Sequence, residues 1–216
     1  MPDTESATAT TTREEAPRTA AGVHPDKPRS RGWIPGEWGI WVFILTDFSV
    51  FGGYFGTFLV LRGQQPGVFS AGSEALSPTH GAVNTVFMLT ASLCVALAIR
   101  SVREGRVLTA QKLLVGAGLC GAAFIVNKPI EWAGELAAGH GPHQSDFFQL
   151  YYLLTGIHLL HVIVAMVVVG LLWRNVRKVQ VAPTPRQARY LENGASFWHL
   201  VDLIWMVLFA LFYLVR

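Results

Sequence analysis

Residues 147–173 read FFQLYYLLTGIHLLHVIVAMVVVGLLW and contain no charged side chain. An α-helix rises about 1.5 Å per residue and the hydrocarbon core of a bilayer is about 30 Å thick, so this stretch is long enough to cross a membrane. His158 and His161 lie in its middle, three residues apart, and therefore on neighbouring parts of one helix face. Hydrocarbon offers no hydrogen-bond partner, so these imidazoles must face protein or water. The sequence therefore predicts that other helices surround this one.

Four further apolar stretches accompany it, at residues 39–61, 81–99, 113–132 and 197–215. Hydrophobic residues make up 51% of the chain and charged residues only 14%, whereas a soluble domain averages about a quarter charged. The sequence predicts an all-α, polytopic membrane protein, a bundle of five transmembrane helices in one domain at residues 33–216. Gly52 and Gly56 in the first stretch form a GxxxG pair, which predicts close approach of a neighbouring helix.

The remaining segments are predicted to form an amino-terminal tail and the loops between the helices. Residues 1–32 are rich in Thr, Ala, Pro, Arg and Glu, a composition typical of a disordered tail, here cytoplasmic. Residues 62–80 contain Pro, Gly and Ser and predict a surface loop. Basic residues form short clusters between the apolar stretches and no single patch, so no nucleic-acid partner is expected.

The basic residues also predict how the helices are oriented. With a cytoplasmic amino terminus, fourteen of the seventeen Lys and Arg residues lie in cytoplasmic segments, the exceptions being Arg62, Lys128 and Arg216. Such an asymmetry follows the positive-inside rule. The sequence thus predicts the amino terminus inside and the carboxyl terminus outside.

Five ionisable side chains within the predicted helices form a buried polar network, and all of them except His158, which lies near the midplane, fall at depths that allow them to converge. A charged carboxyl group near the bilayer centre costs about 2.5–3.5 kcal/mol or more, so each is expected to be neutral or paired. Two interpretations of this buried polar network remain open, structural hydrogen bonds between helices and proton handling. No catalytic residue is predicted. The network comprises Asp47, His158, His161, His199 and Asp202.

The histidines do not match a metal or haem site. A bis-histidine haem needs ligands from two facing helices at equal depth, and only His199 could partner His161, about one turn away in depth. The remaining spacing fits no zinc or di-metal pattern. The residues therefore predict no cofactor-binding or metal-binding site. A carrier of b-type haem is the alternative, and an absorption spectrum of the protein would distinguish it by the presence of haem bands.

A second set of polar residues is predicted at the outer ends of the helices, on the side of the membrane away from the cytoplasm. Glu131 lies in the last turn of the third apolar stretch and Glu135 follows that stretch closely, and together they predict an outer acidic rim. Lys128 stands before both of them on the same helix, which predicts a solvated or interfacial ion pair with Glu131 or Glu135 near a helix end. Pro129 removes one backbone donor and predicts a kink there.

Several stretches resemble one known family. Residues 154–162, LTGIHLLHV, resemble the TGxHxxHV signature of the cytochrome c oxidase subunit III family, subunit III of haem-copper oxidases. Residues 196–214, SFWHLVDLIWMVLFALFYL, are similar to that family's YWHFVDxxW last helix. Residues 41–58 resemble its SExxFF helix, with Asp47 where an intramembrane glutamate usually stands, and VNTVFMLTAS at residues 83–92 resembles its LNTxxLLxSS helix. The resemblance is to the short, five-helix bacterial form.

This resemblance implies a non-redox accessory subunit of a terminal oxidase. Subunit III packs beside the haem-copper catalytic subunit I in the bacterial plasma membrane and has no redox cofactor of its own. In the family it supports proton uptake by the catalytic subunit, protects that subunit from inactivation during turnover and holds phospholipid in a cleft. The chain would then be part of an oxidoreductase complex without carrying its catalytic centre.

Two further alternatives stand beside this one. Asp47 and the Pro-Gly-Glu-Trp entry at residues 35–38 look more like the subunit III relatives that accompany nitric oxide reductases. Asp47 and Asp202, as buried carboxyl groups, are also compatible with an independent proton-coupled transporter. The lack of an inverted repeat argues against that class.

Overall fold

The computed structural model describes residues 38–179 and 183–215, and the regular structure in this part of the chain is helical throughout. Five of its helices are long and apolar enough to cross a membrane. The predicted all-α fold with five transmembrane helices is confirmed, while the predicted tail at residues 1–32 lies outside the described residues. The helices are α1 (Trp38–Gln64), α2 (Pro66–Ala75), α3 (Pro78–Arg103), α4 (Val107–Ala137), α5 (Asp146–Val176) and α6 (Pro185–Phe209), the last continuing into a π-helical turn at Ala210–Leu214.

The spanning helices extend beyond their apolar stretches because polar residues complete their terminal turns. The largest difference is in α6, which begins at Pro185 although hydropathy predicts a start at residue 197. Thr184 and Gln187 form a capping box, in which each side chain accepts a hydrogen bond from the other residue's backbone N–H. Proline suits the first helical position because a backbone N–H there would have no acceptor within the helix, so its absence costs no hydrogen bond. Local capping therefore starts this helix well before the apolar stretch.

The connection between α1 and α3 contains helix α2, which contradicts the surface loop predicted for residues 62–80. Phe69 of α2 is 1% exposed. Its ring meets the rings of Phe58 and Phe147 edge-on, at centroid distances of 5.1 and 5.7 Å. A helix this short is not stable by propensity alone, so its packing against these two rings stabilises it.

Helices α3, α4, α5 and α6 form a closed bundle in which each packs against the next and α6 returns to α3, while α1 contacts α5, α6 and α2 from outside. A small residue allows α6 to pack closely against α5. A Cβ atom on Gly194 of α6 would lie 2.7 Å from Cδ2 of Leu172 on α5. Gly52 and Gly56, in contrast, have nothing within 4 Å of their Cβ positions among the described residues. The close approach predicted for that pair is therefore not made within the described chain.

The end of the bundle at the α3–α4 turn carries a cluster of arginine side chains. Residues 104–106 join α3 to α4, where Glu104 accepts a 2.8 Å hydrogen bond from Nε of Arg100 and also pairs with Arg106. The bond from Arg100, assisted by Arg106, lowers the pKa of the exposed Glu104 carboxyl group. We call this the basic end of the bundle, defined by Arg100, Arg103 and Arg106. The opposite end carries the α4–α5 loop and is called the far end.

Candidate functional site

A four-residue polar cluster lies inside the bundle toward its far end. Lys128 and Glu131 come from α4, Tyr151 from α5 and Tyr213 from the π-helical turn. Lys128 Nζ donates to Glu131 Oε2 at 3.0 Å, to the Tyr151 hydroxyl at 3.1 Å and to the Tyr213 hydroxyl at 2.9 Å. The Tyr151 hydroxyl donates to Glu131 Oε1 at 2.6 Å, and the Tyr213 hydroxyl donates to the same oxygen. We call these four residues the lysine cluster.

The lysine cluster is closed to solvent and satisfied internally. The side chains of Lys128 and Glu131 are 0% and 1% exposed. An ammonium group has three N–H donors, and each of them has an acceptor here. The ammonium also lies 4.8 Å from the centroid of the Tyr151 ring and 5.4 Å from that of Trp205, within the range of cation–π attraction. A fully paired network in a low-dielectric interior makes the surrounding packing rigid and specific.

This geometry corrects two predictions. The Lys128–Glu131 pair is not solvated, because the three-residue spacing on α4 turns both side chains toward tyrosines of two other elements. Glu131 therefore does not belong to an outer acidic rim. Glu135, one turn later, lies near the end of α4 and accepts a 2.9 Å hydrogen bond from Nδ1 of His140. Sequence reasoning missed Tyr213, although a lysine inside an apolar helix already signals that a buried partner must exist.

A second polar contact joins α1 to α5. His161 Nδ1 lies 2.8 Å from the carbonyl oxygen of Ile157, and its Nε2 lies 3.1 Å from Asp47 Oδ1. A carbonyl oxygen only accepts, so Nδ1 carries a hydrogen. The contact between Nε2 and Oδ1 then requires one further proton, on either atom, because two lone pairs would repel each other. Asp47 and His161 therefore share one proton and form a net neutral pair.

His158 is enclosed by aromatic rings. Its ring stacks on Trp205 at a centroid distance of 5.3 Å and meets Phe124 edge-on at 5.6 Å. The residue is 0% exposed, and neither ring nitrogen has a hydrogen-bond partner among residues 38–179 and 183–215. Trp205 is itself held by a 3.0 Å hydrogen bond from its Nε1 to Thr85 Oγ1. His158 thus packs as a core residue close to His161 without bonding to it.

His199 and Asp202 lie on a different face, between α6 and α3. His199 Nδ1 is 2.7 Å from Ser92 Oγ, and the Asp202 carboxyl group interacts with both Ser92 and His199. His199 is exposed at the surface of the bundle, whereas Asp202 is 8% exposed. The Asp202 Oδ1 atom is buried and has no hydrogen-bond partner in the described part of the chain. Ser92 was not predicted as a site residue, because a single serine in an apolar helix resembles many others.

The structure therefore divides the five residues of the predicted polar network into three groups. It brings Asp47 to His161, it places His199 against Ser92 on the face where Asp202 also lies, and it places His158 alone among aromatic rings. Within the described ranges, no group of three or more His, Cys, Asp or Glu side chains could hold a metal ion. The chemistry that these groups offer is proton sharing and hydrogen bonding inside a membrane.

Comparison with known proteins places this arrangement in a family. The family model described as cytochrome c oxidase subunit III matches residues 30–215. Subunit 3 of the cytochrome bo(3) ubiquinol oxidase of Pseudomonas putida is 29% identical over 82% of this chain and 84% of that protein. Cytochrome c oxidase subunit 3 of Thermostichus vulcanus is 27% identical over 82% of this chain and 85% of its own length. The heme-copper oxidase subunit I+III of Aeropyrum pernix is 28% identical over 82% of this chain, which spans 22% of that longer protein. The chain belongs to the cytochrome c oxidase subunit III family.

Proposed function

We propose that this accessory subunit of a haem-copper oxidase works in aerobic respiratory electron transport in a bacterial plasma membrane, beside catalytic subunit I. It carries no redox cofactor, stabilises the catalytic subunit during turnover and supports its proton uptake. The observation that carries the proposal is the family match over residues 30–215. The relatives named above are oxidase subunits, and they favour neither a nitric oxide reductase partner nor an independent transporter.

Subunit I is the proposed partner, together with membrane phospholipids. The Aeropyrum pernix relative is named as subunit I+III, and this chain matches 22% of its length. Two units in one polypeptide meet at high effective concentration, so a fusion of this kind supports a stable association between them.

The proposed orientation has the amino terminus in the cytoplasm and the carboxyl terminus outside. Support comes from the basic end, where Arg100, Arg103 and Arg106 lie close to the α3–α4 turn. Positively charged connections of membrane proteins favour the cytoplasmic side. The lysine cluster then lies in the outer half of the membrane.

The Asp47–His161 pair is the proposed proton-handling element. Its one proton can move between His161 Nε2 and Asp47 Oδ1 without changing the net charge, so the movement avoids the cost of isolated charge in the bilayer. The two side chains are only 11% and 18% exposed. The pair ties α1 to α5 during turnover, and its exchangeable proton is available to the uptake path of the catalytic subunit.

Affinity purification of the tagged full chain in mild detergent tests the assignment to an oxidase. A haem-copper catalytic subunit and oxygen-reducing activity are expected in the purified material. The accessory subunit, once separated, is expected to show no haem absorbance of its own. A stable and functional monomer, or a haem band that stays with the separated chain, would contradict the proposal.

Two substitutions of Asp47 test the shared proton. Asp47→Asn removes the carboxyl group, whereas Asp47→Glu keeps it and serves as the matched control. We expect the asparagine variant to assemble but to inactivate after severalfold fewer turnovers, with the glutamate variant close to wild type. Turnover number and the number of turnovers before inactivation are measured on the purified complexes. Unchanged assembly, rate and turnover lifetime in Asp47→Asn would exclude the proton-sharing role.

A further inference from the structure

A row of polar side chains follows one face of α5 between the lysine cluster and the Asp47–His161 pair. Residues three or four apart lie on successive turns of one helix face. The row consists of Tyr151, Thr155, His158 and His161, over which the helix rises about 15 Å. Both of its ends hold exchangeable protons, those of the lysine cluster at Tyr151 and the shared proton of the pair at His161. A proton that moved along this row would cross the middle of the spanning region.

The row is interrupted on both sides of His158. Thr155 Oγ1 donates its hydrogen to the carbonyl oxygen of Tyr151 at 2.5 Å, back toward the lysine cluster. Both nitrogens of His161 are engaged, Nδ1 by a carbonyl oxygen of α5 and Nε2 by Asp47. Neither nitrogen of His158 has a hydrogen-bond partner within the described ranges. His158 is therefore bonded to neither of its neighbours in the row.

Aromatic rings enclose His158 at this interruption. Its ring stacks on Trp205 and meets Phe124 edge-on, and these two rings contact each other at a centroid distance of 4.8 Å. All three residues are 0% exposed. The N–H of Trp205 is already bonded to Thr85. A buried water molecule needs about two to four polar partners, and the two aromatic rings offer none, so the contact between the three rings is dry.

The cost of this arrangement indicates a role for His158 beyond packing. An unpaired buried polar group is destabilising, and an apolar side chain of similar size would avoid that cost. An imidazole can accept a proton at one nitrogen and release one from the other, which an apolar side chain cannot do. The middle of the row therefore holds a side chain that can pass protons, enclosed by rings that prevent it from doing so.

We propose that His158, Phe124 and Trp205 form a proton gate, closed in this structure, between the Asp47–His161 pair and the lysine cluster. The inference deepens the proton handling proposed above and rests on it, because it takes the pair as one end of the path. The closed gate keeps the proton gradient across the membrane from running down along α5.

The gate opens when the Phe124 ring moves away from His158 and admits water. His158 then accepts a proton at one nitrogen and releases the proton of its other nitrogen on the opposite side. Rotation of the imidazole by half a turn restores the starting form. One proton enters for each proton that leaves, so the step needs no oxidant or other reactant.

Proton flux through the full chain in liposomes tests the gate. A pH-sensitive dye is enclosed in the liposomes, and a potassium diffusion potential drives protons inward. The wild-type chain is expected to be as tight as protein-free liposomes. Phe124→Ala shortens the side chain that closes the gate and is expected to raise the proton flux severalfold. Phe124→Ala/His158→Leu is expected to return to the wild-type flux, because the residue that passes the proton is gone.

Phe69→Ala is the matched control, because Phe69 is also buried but packs in α2, away from the row. Helical circular dichroism checks that each variant folds. If Phe124→Ala does not fold, Phe124→Val, which leaves a smaller cavity, takes its place. The gate is wrong if the Phe124 variant stays as tight as wild type, if the Phe69 control leaks equally, or if the leak survives the removal of His158.

Hydrogen exchange of the imidazole N–H groups tests the enclosure in the wild-type chain. Nitrogen NMR of the histidine-labelled protein follows the exchange after transfer to deuterated buffer, and His158→Leu identifies the His158 signal. We expect His158 to exchange roughly tenfold more slowly than His161, whose side chain is 18% exposed. Equal exchange at the two histidines would overturn the closed gate.

The outcomes separate this inference from the role proposed for Asp47. If the Phe124 variant stays tight while Asp47→Asn shortens the turnover lifetime of the complex, the gate is wrong and the proton handling by the pair stands. If the Phe124 variant leaks through His158 while Asp47→Asn leaves the complex unchanged, the role proposed for Asp47 is wrong and the gate is not.

Discussion

Replacing Lys128 with methionine removes the ammonium group, keeps a long apolar side chain and leaves the Glu131 carboxylate inside the bundle without its charged partner. Breaking one side of a buried ion pair costs about 3–5 kcal/mol, because the remaining charge has no compensation. Glu131 retains the hydroxyl donors of Tyr151 and Tyr213, so we expect the lower end of this range. About 3 kcal/mol corresponds to a roughly hundredfold smaller ratio of folded to unfolded protein.

The double variant Lys128→Met/Glu131→Gln is expected to be far less affected. It removes both charges and keeps an amide oxygen that accepts from the two tyrosine hydroxyls. Exchanging a whole buried pair for uncharged groups is often neutral or stabilising, so its free energy of unfolding should lie within about 1 kcal/mol of wild type. Glu131→Gln alone likewise leaves a buried charge without its partner, so the two single-variant costs together are expected to exceed the cost of the double variant by about 5 kcal/mol or more.

Reversible unfolding with dodecyl sulfate in mixed micelles measures these free energies. Helical circular dichroism follows the spanning helices, and tryptophan fluorescence follows the cluster, since Lys128 Nζ lies 5.4 Å from the Trp205 ring. Lys112→Met on the same helix is the matched control, because Lys112 is exposed and its loss should cost at most about 0.5 kcal/mol. If Lys128→Met costs no more than this control, or if the single-variant costs add in the double variant, the coupled buried ion pair is refuted.

Three further predictions concern packing, the cluster and pH. Gly194→Ala should destabilise the chain by about 1–3 kcal/mol through its clash with the buried Leu172 in a chemical unfolding titration, whereas Gly134→Ala, with nothing within 4 Å, should not destabilise it. Tyr213→Phe should cost about 1–3 kcal/mol in the same titration, because it leaves one N–H of a buried ammonium without an acceptor; a change below 0.5 kcal/mol would contradict the hydrogen bond. The pKa of Glu104 is lowered on folding, so its contribution to stability is present above the unfolded value of 4.5 and is lost as the pH falls through the lower folded value; Glu104→Gln should remove this acid dependence from melting curves.

The sequence alone determined the class of the protein, because insertion into a bilayer depends on local properties. Length and hydropathy are properties of each helix by itself, so the five spans could be predicted one at a time. The family motifs at residues 154–162 and 196–214 are contiguous stretches and could therefore also be recognised without the fold. Predictions failed where stability comes from distant residues. Helix α2 was wrongly predicted as a loop. Its stability depends on the burial of Phe69 against Phe58 and Phe147, which lie in other helices and so do not appear in the local sequence.

Only the tertiary structure decided how the polar side chains pair. Asp47 and His161 are 114 residues apart, and Lys128 meets Tyr213 across 85 residues. Each of these contacts depends on the rotation of a helix about its axis, because one residue of rotation moves a side chain by about 100°. In apolar helices that are hydrophobic on every side, the sequence pattern specifies this rotation only weakly, since lipid and protein surroundings accept the same side chains. Packing between helices specifies it instead, and with it the contact of Asp47 with His161 and the buried ion pair of Lys128 with Glu131.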